Sequence, residues 1–300
     1  MSPTESYWLN KTLPQLLRDN VQKFPDAPAL MWSTQVMNWG ELDLLSDRLA
    51  AGLADLGIGR GDVVSCQLAN LPEFLILHHA VAKCSAIFNP IHLPYRSSEL
   101  EHILGFSESC ALVVGPSVKN FSCLELGLQM KQRLECLDHV VSVGEDSAAE
   151  VIPFEALKLD SVPPLSGPDP EDPFLMLFTS GTTANPKATV HTYNMRMTNS
   201  WFCGGDFELH PEDHMLCCSA FSHMWATLTY YSSVIYGCSQ VLLTRYRPED
   251  FSATAAEGQA TVIIGAPVHA IDLLALPKLD PRTLSSIRLF ALSGTVCPPS

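Results

Sequence analysis

The densest run of chemistry-bearing residues is Thr179-Ser180-Gly181-Thr182-Thr183-Ala184-Asn185-Pro186-Lys187. Four hydroxyls surround one glycine, and a lysine follows four positions after the last of them. Hydroxyls and exposed backbone N–H groups donate to phosphate oxygens, glycine lets the backbone turn and approach closely, and lysine adds a point charge. That combination suits a phosphate chain. It is not a Walker loop, because Pro186 precedes the lysine and Ala188 follows it. In isolation the same run also describes a hydroxyl-rich surface turn.

Other candidates are weaker. His223 lies among Phe221, Met224 and Trp225, a setting as suited to a core histidine as to a ligand-facing one. His210 and His214 have i, i+4 spacing near Cys217 and Cys218, but Pro211 argues against a shared helical face, so no metal ligand is assigned. His78 and His79 are adjacent and diverge on a helix. A G-x-S-x-G elbow is missing, which removes the α/β-hydrolase reading, and no G-x-G-x-x-G follows a strand.

The elements that must position these residues alternate between helix and strand. Thr12 and Pro14 open a helix over 13–24, and leucines at 42, 45, 49, 53 and 56 mark one over 41–56 with Gly57 behind it. Helices are also expected at 72–84, 249–257 and 267–274, and Ser98 with Glu101 reads as a capping box. Strands are expected at 29–32, 62–68, 111–114, 140–143, 174–178, 240–244, 261–265 and 287–292. Residues 161–173 contain five prolines and read as a linker. The expected organisation is a first subdomain over 1–160, that linker, and a second subdomain over 174–300. The fold class is α/β, with stacked layers and mostly parallel sheets.

Composition narrows the partners. The chain has 300 residues, 47% of them hydrophobic and 17% charged, enough apolar material for a sizeable core. Its 18 Lys and Arg against 32 Asp and Glu give a net charge of −14, which excludes nucleic acid and polybasic membrane contact as general roles. Residues 215–244 lack Asp, Glu, Lys and Arg, yet Ser, Thr, His and Gln interrupt them, so a buried helix followed by a buried strand is expected instead of a membrane span. The ten cysteines form no C-x-x-C and the amino end has no signal-peptide pattern, so a reducing, cytoplasmic setting is expected. Nothing in the sequence sets an oligomeric state.

The 179–187 run resembles the phosphate-loop signature of the AMP-forming acyl-adenylating enzymes, which include acyl- and aryl-CoA synthetases. Further segments resemble the same family in order: Leu56-Gly57-Ile58-Gly59-Arg60-Gly61-Asp62-Val63-Val64, Asn70, Pro90, Glu99-Leu100, Ser219 to His223, and Leu292 to Val296. The resemblance implies the large amino-terminal domain of such enzymes. It implies ATP, Mg²⁺ and CoA as cofactors, and formation of acyl-AMP followed by a thioester. By the same resemblance Thr179, Ser180, Gly181, Thr182, Thr183 and Lys187 hold the ATP phosphates, Gly294, Thr295 and Val296 lie along the adenine, and His223 meets the acid.

The apolar residues around 221–236 and 266–274 suggest an apolar acid. Family members resembling this chain continue for roughly 200 residues more, so the chain alone is expected to be incomplete and inactive. Ala184 and Ala188 replace glycines of the family pattern, Thr295 replaces the second glycine of its adenine turn, and Ala226 replaces the glycine after its histidine. A non-catalytic nucleotide- or acyl-binding relative, and an adenylating enzyme that transfers to a carrier protein, are the alternatives.

Overall fold

The structure is a computed structural model that describes residues 7–117, 121–144, 150–161, 165–179, 186–277 and 281–296. Chain order runs α1 (Leu13–Lys23), β1 (Pro28–Trp32), β2 (Gln35–Asn38), α2 (Trp39–Asp55), β3 (Val63–Gln67), α3 (Pro72–Lys83), β4 (Ile87–Pro90), α4 (Ser97–Ser107), β5 (Ser109–Val114), α5 (Cys123–Arg133), β6 (His139–Ser142) and β7 (Ile152–Pro153). A 3-10 turn at Phe154–Leu157 follows. Then come β8 (Pro173–Thr179), β9 (Lys187–Thr192), α6 (Tyr193–Asp206), β10 (His214–Cys217), α7 (Met224–Tyr236), β11 (Ser239–Val241), α8 (Pro248–Glu257), β12 (Val262–Gly265), α9 (Pro267–Leu274) and β13 (Leu289–Leu292).

Local chemistry explains several of these boundaries. Thr12 caps α1 by accepting from the Gln15 N–H, while the Gln15 side chain accepts from the Thr12 N–H at 2.9 Å. Gly57 at φ +85° turns the chain after α2. The expected Ser98/Glu101 box is offset: α4 starts at Ser97, and Glu99 Oε2 accepts from the Arg96 N–H at 3.1 Å. Ser98 therefore already lies inside the helix.

The chain divides into two compact units, Asp43–Met195 and the combination of Met1–Leu42 with Arg196–Ser300. These cuts differ from the division expected at 161–173. Strand β8, which follows that segment, pairs in parallel with β4 through Phe88 and Leu175, so the proline-rich stretch connects two strands of one sheet. That sheet has the order β7-β6-β5-β3-β4-β8-β9 and is parallel except for the β8–β9 pair. Strand β3 is buried at all five positions, as expected for a parallel strand covered on both faces. Its polar residues are paired: Ser65 and Ser109 hydroxyls lie 2.6 Å apart, and the Gln67 side-chain amide donates to the Tyr95 carbonyl at 3.0 Å.

The other unit holds a sheet of order β13-β12-β10-β11-β1-β2, parallel except for β1–β2. Strand β10 precedes the helix and strand expected over 215–244; a four-residue strand in a longer apolar run has no period of its own to reveal it. From β10 the chain passes through α7 to β11 on one side, then through α8 to β12 on the other. The carboxyl ends of β10 and β12 thus flank a topological switch point, where open α/β sheets place their ligands. No helix among the described residues is long and apolar enough to cross a membrane. Nine cysteines are described and all are free; Cys297 lies outside the described residues. Burial pushes the Cys84 thiol up to about 12 and the Cys110 and Cys203 thiols up to about 11.

Candidate functional site

The candidate residues fall into two groups, one in each unit. In the Asp43–Met195 unit the described ends of the hydroxyl-rich run lie on the antiparallel pair of β8 and β9. Thr179 and Lys187 are register partners there, and the Thr179 hydroxyl donates to the Lys187 carbonyl at 3.5 Å. Both residues are exposed. His102 Nε2 lies 3.1 Å from the Pro186 carbonyl, and the His102 ring packs on Phe106, which packs edge-on against Phe178. This end of the pair is thereby fixed from α4. Ser180, Gly181, Thr182, Thr183 and Ala184 lie outside the described residues. Ala188 sits opposite Phe178 in β9 with no positive φ, so its lack of a glycine carries no left-handed strain there.

The second group surrounds a cavity of ≈ 580 Å³ at the switch point. Ser219 comes from beyond β10, Gly265 and Ala266 from the end of β12, and Ser293, Gly294 and Thr295 from beyond β13. The first turn of α7 adds His223, Met224 and Trp225, with Leu228 one turn on; α6 adds Arg196 and Asn199, three positions apart and so on one helix face. Of the residues expected from sequence, His223, Gly294 and Thr295 are brought together here. Val296 is 85% exposed and does not line the cavity.

Two glycines shape the wall. Gly294 has φ +95°, a conformation that costs an L-residue about 1–2 kcal/mol. A Cβ on Gly265 would lie 2.9 Å from His269 Nδ1, the atom that accepts the Ala266 N–H at 2.8 Å. Ala226, by contrast, is an ordinary buried helical position.

His223 is the N-cap of α7. Its Nδ1 accepts the Trp225 N–H at 3.2 Å, which leaves the proton of a neutral ring on Nε2. Partial burial lowers its pKa, so the neutral ring is favoured at neutral pH.

Arg196 was not singled out from sequence. It is 4% exposed; its Nη2 donates to the Met224 carbonyl at 3.0 Å and lies 3.2 Å from the Thr227 hydroxyl. Its signal is that no other Lys, Arg, Asp or Glu occurs between Lys187 and Asp206. Burial draws its pKa down, yet a guanidinium remains protonated.

A family model described as AMP-binding enzyme matches residues 17–300. The chain belongs to that family. It is 26% identical to the acyl-CoA ligase SID4 of Ajellomyces capsulatus over 99% of its own length and 53% of that protein. It is 27% identical to the salicyl-AMP ligase / salicyl-S-ArCP synthetase of Mycobacterium tuberculosis, over 98% of its own length and 53% of that protein. Among solved structures, apo MbtA of Mycobacterium smegmatis superposes with a TM-score of 0.86 at 27% identity, covering 97% of this chain and 54% of that one. The anthranilate CoA ligase AuaEII, solved with anthranoyl-AMP, superposes with a TM-score of 0.86 at 21% identity and shares the fold. The chain spans about half the length of the curated relatives it matches. The mostly parallel α/β architecture is that of the amino-terminal domains of acyl-adenylating enzymes.

Proposed function

We propose that this chain belongs to an enzyme that activates a carboxylic acid with ATP and then forms a thioester with CoA. A carboxylate oxygen attacks the α-phosphorus, the bond to pyrophosphate breaks, and acyl-AMP results. The CoA thiol then attacks the acyl carbon, the acyl–phosphate bond breaks, and AMP leaves. The first step asks little covalent chemistry of the protein and much positioning and charge neutralisation.

The observation that carries the reading is the convergence of His223, Gly294 and Thr295 on one cavity at the carboxyl ends of parallel strands. In this reading the acid and adenylate occupy that cavity, with Met224, Trp225 and Leu228 against an apolar acyl body. The His223 Nε2–H donates to an acceptor oxygen. Thr179, Ser180, Gly181, Thr182, Thr183 and Lys187 hold the departing phosphates, and Val296 with its two neighbours lies along the adenine. Mg²⁺ takes carboxylate and phosphate oxygens, and the residues assigned here supply no carboxylate for it. The cytoplasm, where ATP and CoA are available, is the proposed setting. Names among the relatives include ligation to a carrier protein, which makes the acceptor thiol the second reading.

Replacing Lys187 by alanine is expected to weaken ATP binding by about 1.5–3 kcal/mol in calorimetry, the worth of a charge-assisted hydrogen bond. Unchanged affinity in a folded variant rejects the phosphate role. ATP–pyrophosphate exchange, followed by a thioester assay with CoA against a carrier-protein thiol, separates the two acceptors.

A further inference from the structure

Arg196 puts a buried positive charge beside the cavity. Arg196 is 4% exposed, and no carboxylate faces it among the described residues: its contacts are the Met224 carbonyl, the Thr227 hydroxyl and the Tyr231 ring. Its Nε–H is buried and makes no hydrogen bond among those residues. The indole Nε1–H of Trp225, a residue that lines the same cavity, is also buried and makes no hydrogen bond among the described residues. A buried donor without an acceptor carries its desolvation cost, and a buried charge without a counter-ion carries more.

The chain has 32 acidic residues and only 18 lysines and arginines, yet no Asp or Glu among the described residues lines this cavity. Elsewhere in the chain a deeply buried cation is paired: Lys83, 5% exposed, is held by the Asp43 and Asp47 carboxylates at 2.6 Å each. What the cavity lacks is an anionic group with oxygen acceptors.

Resting on the proposed reading of the cavity as the acid site, we infer that the acid carries a second anionic group, a carboxylate, which Arg196 and Trp225 receive. The substrate class is then a dicarboxylic acid with an apolar middle. Met224 and Leu228 pack against that middle, one carboxylate is activated, and the other completes the charge balance of Arg196. Arg196 acts here as a specificity-determining residue.

Calorimetry on the full chain tests this with matched probes: succinate, adipate and suberate against butyrate, hexanoate and octanoate. The best dicarboxylate is expected to bind at least about tenfold more tightly than its matched monocarboxylate. Arg196→Met should abolish that preference by weakening the dicarboxylates far more than the monocarboxylates, and Arg196→Lys should retain part of it. Trp225→Phe, which removes the indole donor and keeps an aromatic ring, should reduce the preference and serves if Arg196→Met does not fold. Equal binding of the two series, or equal weakening of both by Arg196→Met, overturns the inference and leaves the acid site standing. Binding of neither series overturns the acid site itself.

Discussion

Two arginines in the same unit sit in opposite electrostatic circumstances. Arg288 meets Asp213, which is 0% exposed, through Nε at 2.9 Å and Nη2 at 2.6 Å. Thr261 donates to the same carboxylate at 2.6 Å and the His210 N–H at 3.1 Å, so both oxygens are occupied. Burial raises the Asp213 pKa, but the Arg288 and Thr261 hydrogen bonds outweigh it and hold the carboxyl below its usual range. Arg196 is more deeply buried and has a carbonyl and a hydroxyl in place of a carboxylate. The difference separates two uses of a buried charge. A completed pair fixes the starts of β10 and β12 and the approach to β13; an incomplete one holds recognition capacity in reserve.

Removing the completed pair should have the largest effect. Arg288→Met strands the Asp213 carboxylate in the protein interior and is expected to cost about 3–5 kcal/mol in urea unfolding. A loss below about 1 kcal/mol would mean that the pair is not structural. The gap between wild type and Arg288→Met should also depend on pH. With its folded-state pKa depressed, Asp213 contributes stability that is fully present above the unfolded carboxylate pKa and is lost as pH falls through the folded value. The gap should therefore narrow below about pH 4, by up to about 1.4 kcal/mol per pH unit. A gap independent of pH would mean that Arg288 does not act through the Asp213 charge. The smallest effect is expected at the other arginine. Arg196→Met should change the stability of the ligand-free chain by no more than about 1 kcal/mol, with a gain in line with removal of an uncompensated buried charge. A loss as large as that for Arg288→Met would place Arg196 among the structural pairs.

Much of the fold is legible in the sequence because its signals are local. Thr12, Pro14 and Gln15 write the start of α1 within four residues, and Gly57 marks the end of the α2 segment through its own backbone preference. Strand β10 and the pairing of β8 with β4 are not written locally, since four apolar residues do not state their neighbours. The cavity is legible in part. His223 and Gly294 are visible through their order along a family pattern, whereas Arg196 becomes meaningful only once α6 and the first turn of α7 are adjacent. A charge in an apolar stretch is silent about its partner until the fold supplies or withholds one.

The division of the chain into units also orders its synthesis. Residues 43–195 form a continuous stretch with a sheet of their own, whereas α1 and β1 belong to a unit whose strands other than β2 lie far downstream. Asn20 hydrogen-bonds the carbonyl of Val234, 214 residues later, and Leu30 pairs with Gln240. At about 5–20 residues per second, a ribosome reaches that partner roughly 10–40 s after it has made α1. In the interval the apolar face of α1, with Leu13, Leu16 and Leu17, has no native surface to cover it. The middle of the chain can therefore complete its sheet before α1 and β1 meet their partners.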